Sequence, residues 1–175
     1  MNLGLVKTFS MGLVLLIFCC WATPLFAENK EHEGAFDAVT LERTACFGAC
    51  PEYKVEVDAQ GAVKYEGKND VAVKGLQTRK VSNSDLDFLR EAIKRMHVSD
   101  LRSTYEKDSD GCKEVWTDLP SIIVTIKAGT SERKVSYNTG CKGLLVLARI
   151  AWLADTIDEV AGSSQWVGPR MFGSK

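Results

Sequence analysis

Two cysteines four positions apart, in Cys46-Phe47-Gly48-Ala49-Cys50-Pro51, follow an opening of 27 residues that reads as an export leader. This pairing constrains the fold most, because it places the thiols in an oxidising compartment and predicts a small covalently closed loop. Lys7 supplies the positive n-region, and Met11 to Trp21 is an apolar run shorter than the ~20 residues a spanning helix needs. Cleavage is expected after Ala27, where Leu25-Phe26-Ala27 follows Pro24 and meets the polar Glu28-Asn29-Lys30-Glu31-His32-Glu33. A lipid-anchored reading at Cys19 or Cys20 lacks the small preceding residue, since Phe18 stands before Cys19. The expected destination is the periplasm or the exterior, with no stable membrane span after cleavage.

Removing residues 1–27 leaves 148 residues, enough for one domain with a real core, and carries away Lys7, Cys19 and Cys20. The remainder has 21 basic and 23 acidic side chains with no run of like charge, so nucleic acid has no electrostatic case as a partner. Cys46, Cys50, Cys112 and Cys141 remain, and three pairings are open to four cysteines. Gly48 permits the tight reversal that brings Cys46 to Cys50, which leaves Cys112 for Cys141. On chain-entropy grounds the short loop contributes ~2 kcal/mol and the long one ~3.6 kcal/mol.

Residues 28–37 read as a flexible lead-in, residues 38–162 as one disulfide-stapled α+β domain, and residues 163–175 as a loose tail whose Trp166 can fold back onto the domain. Alternation marks strands at Val39 to Thr44, Tyr53 to Asp58 and Ala62 to Glu66. Further strands are expected at Val71 to Lys74, Ser121 to Lys127 and Arg133 to Tyr137. Turns at Asp58-Ala59-Gln60-Gly61 and Gly67-Lys68-Asn69-Asp70 predict an antiparallel meander. Leu86, Leu89, Ile93 and Met96 predict a helix capped by Ser84, and residues from Cys141 to Ala161 carry a second apolar stripe at helical spacing ended by Gly162. The expected architecture is a sheet of about six strands in β-β-β-β-α-β-β-α order with both helices on one face.

The segment Arg43-Thr44-Ala45-Cys46-Phe47-Gly48-Ala49-Cys50-Pro51-Glu52-Tyr53 resembles an uncharacterised family of exported bacterial domains, the DUF6438-like domains of unknown function. So do Asp58 to Gly61, Tyr65-Glu66-Gly67, Thr117-Asp118-Leu119-Pro120, and Ile157-Asp158 with Trp166. The resemblance implies a small exported α+β domain and carries no reaction, ligand or catalytic residue. Cys112 and Cys141 lie outside its pattern, so their pairing rests on the arithmetic alone.

No cofactor is implied, and no catalytic constellation stands out. A thioredoxin-like site needs a Cys-x-x-Cys turn at a helix N-terminus, whereas Cys46 and Cys50 are one residue further apart and a strand follows them. Zinc or copper would want closely spaced pairs, and Cys112 and Cys141 stand apart. Glu106-Lys107-Asp108-Ser109-Asp110-Gly111 matches the first half of a calcium loop, but its closing position is Thr117 instead of a bidentate glutamate. Asp118, before the strongest strand, suits turn hydrogen bonding better than acid-base work. Arg43 is expected either to recognise a carboxylate or to pair with Glu52. The reading favours a non-enzymatic module binding an envelope protein or small ligand through Arg43, Phe47, Tyr53 and Asp118. Its rivals are thiol-disulfide exchange by Cys46 and Cys50, and inhibition of an envelope-attacking enzyme.

Overall fold

The structure, a computed structural model, describes residues 35–168, all within one unit spanning residues 31–175. The expected leader (1–27), most of the lead-in and residues 169–175 lie outside the described residues. Four strands come first: β1 (Ala38–Arg43), β2 (Glu52–Asp58), β3 (Ala62–Asn69) and β4 (Gly75–Lys80). Helix α1 (Asn83–Met96), short strands β5 (Thr104–Tyr105) and β6 (Glu114–Val115), and the long hairpin β7 (Ser121–Ala128) and β8 (Ser131–Asn138) follow. The chain then runs through β9 (Cys141–Lys142), α2 (Leu145–Ala161) and the single turn α3 (Ser164–Val167).

Seven strands form one sheet in the order β4-β3-β2-β1-β7-β8-β5. All neighbours are antiparallel except β5 with β8, so the sheet is mixed where a purely antiparallel one was expected. The difference lies in the loop over residues 103–120, where no strand was expected. Tyr105 is buried there beside Tyr137, and two residues suffice to add a parallel edge strand. The same loop contributes β6, which pairs with β9 in a separate ribbon.

The period-2 pattern of the strands sends Val39 and Leu41, Val55 and Val57, Val63 and Tyr65, and Val124 and Ile126 to one face, where they are buried. Onto that face pack Leu89, Ile93 and Met96 of α1 and Ile150, Leu153, Ile157 and Val160 of α2. The core is the layer between sheet and helices, and truncating a fully buried member such as Leu89 or Ile157 to alanine removes about 3 kcal/mol. The opposite face is charged, with Lys54 against Glu42 at 3.8 Å and Lys64 against Glu56 at 3.5 Å. Among the described residues no helix is long and apolar enough to cross a membrane.

Three local expectations shift. Ser82, not Ser84, caps α1, its hydroxyl accepting the Asp85 amide at 3.2 Å. The second helix starts at Leu145 because Cys141 and Lys142 are held in the ribbon. The fourth strand lies at Gly75–Lys80 instead of Val71 to Lys74. A register shift near Glu52 and Tyr53 carries β3 on to Asn69, and Val71 and Val73 turn inward as packing residues of a loop. The backbone amides of Ala72 and Val73 donate to the carbonyls of Val167 and Trp166, so the loop holds α3. Trp166 is buried there, at the head of the segment read as a tail.

Cys46 is bridged to Cys50 and Cys112 to Cys141, with Cα separations of 5.6 and 5.2 Å, inside the range disulfides need. The first bridge lies in a half-exposed loop and the second is buried. Under non-denaturing conditions a mild reductant followed by alkylation is therefore expected to label Cys46 and Cys50 well before Cys112 and Cys141, as read by peptide mass mapping. Simultaneous labelling of all four would contradict this burial difference.

Candidate functional site

Strand alternation places Arg43 and Tyr53, cross-strand partners at the ends of β1 and β2, on the helix-covered face. The C-terminal half of α2 passes above them. Asp158 is a carboxylate on the buried side of an otherwise apolar helix, 7% exposed, and it meets both. Arg43 Nε donates to Asp158 Oδ2 at 2.9 Å, and its Nη2 reaches Asp155 Oδ1 at 2.8 Å. The Tyr53 hydroxyl donates to the Asp158 carboxylate, 2.8 Å from each oxygen. One guanidinium thus neutralises a buried carboxylate and ties the sheet to the helix, the arrangement that lets a charge be buried.

The electrostatics agree with that geometry. Burial alone would lower the Arg43 guanidinium, but the Asp158 carboxylate hydrogen-bonded to it, with Asp155 alongside, holds it above its ordinary value. Burial, reinforced by the Asp158 charge, raises the Tyr53 hydroxyl. The same two causes push Tyr65 up to about 12.

Tyr65 extends this polar centre into an aromatic column. Its ring centroid lies 5.6 Å from that of Tyr53 and 4.9 Å from that of Trp166. Gly67 makes room for it: a Cβ there would stand 2.8 Å from the Tyr65 hydroxyl and 2.2 Å from the Val73 carbonyl oxygen. The Tyr65 hydroxyl is buried with no hydrogen-bond partner among the described residues.

The loops beyond Arg43 gather at this end of the sheet. The Thr44 amide donates to the Ser121 carbonyl at 3.0 Å, and the Thr44 hydroxyl accepts the Ser121 amide at 2.8 Å. The Phe47 amide donates to the Asp118 carbonyl at 3.0 Å, which joins the cysteine loop to residues 116–120. Thr139 donates to the Pro120 carbonyl through both its amide and its hydroxyl, and the Trp116 amide donates to Gly140. The Cys112–Cys141 bridge crosslinks the β6 and β9 ribbon, whose Lys142 ammonium stands 5.1 Å from the Trp116 ring centroid. Out of this knitted surface project Phe47, 91% exposed, and Trp116, 54% exposed.

Of the four residues expected to bind, the structure brings Phe47 and Asp118 together on the loop surface and puts Arg43 and Tyr53 in the clamp beneath it. Arg43 does not pair with Glu52. Adjacent positions on β2 face opposite ways, so Glu52 points from the other face to Lys68 at 3.7 Å and to Asn69 at 2.7 Å. Asp118 takes a left-handed backbone, φ 66°, and its carboxylate accepts the Thr117 hydroxyl, a turn role. In the acidic loop the Asp110 carboxylate receives the Glu106 amide, which lowers its pKa. Cys50 is followed by Pro51 and a strand, so no helix N-terminus stabilises a thiolate there.

Sequence reasoning did not assign roles to Asp155, Asp158, Tyr65 or Trp116. Asp158 carried a signal: it falls four residues after Ala154 inside the apolar stripe of α2, where an unpaired carboxylate would be prohibitive. Trp116 carried none, since its exposure depends on the ribbon.

The clamp yields a graded set of expected outcomes in denaturant unfolding. Arg43→Ala leaves Asp158 unpaired and should destabilise by about 3 kcal/mol, with Tyr53→Phe at about 1 kcal/mol. Tyr65→Phe should be neutral or mildly stabilising, because the hydroxyl it removes is unsatisfied. Folded Tyr53 and Tyr65 both ionise above the ordinary 10.0, so the stability they contribute is complete below that pH and is lost as pH rises, for Tyr65 through about 12. A tyrosinate absorbance titration tests this, with ordinary ionisation of Tyr65 in folded protein as the contrary result.

No curated protein matches the chain. A family model described as a domain of unknown function matches residues 37–161, which include β1 to α2 and the whole Arg43, Tyr53 and Asp158 cluster. The chain belongs to this family, DUF6438.

Proposed function

We propose that the protein is a non-catalytic binding module of the cell envelope, exported by its leader, which inserts Phe47 into an apolar recess of a partner protein while Trp116 and Asp118 flank the contact. The observation that carries this reading is Phe47 itself. A phenylalanine 91% exposed is held at the tip of a loop closed by Cys46 and Cys50, with its own amide bonded to Asp118. A projecting anchor of this kind enters a partner's pocket more readily than it encloses a small ligand. Fixing it in advance reduces the ordering lost on binding. Disulfides and the absence of a spanning helix among the described residues are compatible with life outside the cytoplasm.

A photo-crosslinking phenylalanine at position 47, introduced in the native host, should yield a discrete crosslinked protein. The same probe at position 88, another exposed phenylalanine on α1, should not. Equal yields at the two sites would refute the loop's role. In an insulin-reduction assay no turnover is expected; turnover abolished by Cys46→Ser would replace the binding reading with thiol-disulfide exchange.

A further inference from the structure

Strand β4 ends the main sheet, and its outer side pairs with no other strand among the described residues. Six residues of open ladder, roughly 20 Å, are a template for another strand. Their charge is unlike that of the surrounding surface. Lys54, Lys64, Lys68 and Lys127 each lie within 4 Å of a carboxylate, whereas no ion pair involves Lys74, Arg79 or Lys80 among the described residues. The stretch from Lys74 to Lys80 holds three cations and no anion, in a chain that is slightly acidic as a whole. Arg79 faces the helix side against Gly162, while Lys74 and Lys80 bracket the strand. Between them Leu76 stands 75% exposed on the charged face.

We infer that the open edge of β4 takes up an extended acidic peptide segment of a partner protein by strand addition. The backbone ladder supplies the hydrogen bonds, Lys74 and Lys80 select acidic residues near the two ends, and Leu76 offers one apolar contact to a side chain on the same face. The same cations repel a second copy of this edge, so the strand stays open to a partner without pairing with itself. This surface is separate from the Phe47 loop and does not rest on the reading of that loop.

The test uses the purified mature protein and a fluorescein-labelled peptide, Thr-Glu-Val-Glu-Val-Glu-Thr, read by anisotropy at physiological salt. Saturable binding is expected, with slowed amide exchange within Gly75–Lys80. Lys74→Glu combined with Lys80→Glu should weaken it about tenfold or more, while Phe47→Ala leaves it unchanged. A peptide of the same sequence N-methylated at alternate residues keeps its charge but cannot complete the ladder, and it should not bind. Equal binding of the methylated peptide, or displacement of the parent peptide by heparin with no change in Gly75–Lys80 exchange, would show a charge-only surface and overturn the inference. Absence of saturable binding by the unmodified peptide would do the same.

Discussion

The Asp158 carboxylate, buried under α2 and shared by Arg43 and Tyr53, is the constraint on which the organisation of this domain turns. A buried carboxylate without partners would be too costly to retain, so the helix docks only where the ends of β1 and β2 supply a guanidinium and a hydroxyl. Apolar burial drives the helices onto the sheet but tolerates small slides along it. A charged contact between single residues does not, and it fixes which turn of α2 stands over which strand end. Tyr65 and Trp166 continue the contact into the loop before β4, so one polar cluster of three residues and one aromatic column order the whole end of the domain.

That end is also where the covalent bonds are. Cys46–Cys50 closes the first loop, Cys112–Cys141 crosslinks the ribbon, and backbone hydrogen bonds join the loops between them. The result separates two roles that the sequence places side by side. Arg43 and Tyr53 hold, whereas Phe47 and Asp118 present. In the proposed binding role the loops carry recognition, and the clamp beneath them is the scaffold that positions them.

Much of the fold was legible because its elements follow simple periods. Alternation in β1, β2, β3 and β7 and the 3.6-residue stripe in α1 and α2 gave the layers and the order of the main elements. Val71 and Val73 misled, since alternation cannot distinguish a strand from a loop whose apolar residues serve a packing need supplied by Trp166, nearly a hundred residues away. Tyr105 in β5 and the β6 ribbon were hidden for a related reason: two-residue strands have no period, and distant partners define them. In the site, Gly48 and the spacing of the cysteines foretold the bridged loop. The partner of Arg43 was a different matter, because Glu52 is close in sequence but on the wrong face, and only the docking of α2 brings Asp158 within reach.

The central claim is that the loop end is rigid in the free protein, held from beneath by the clamp. Native-state hydrogen exchange at the Phe47 amide, whose acceptor is the Asp118 carbonyl, tests it most directly. The account predicts exchange far slower than an unstructured chain in the native protein and marked acceleration in Arg43→Ala under conditions where that variant remains folded. Exchange of the native Phe47 amide at the unstructured rate would contradict it.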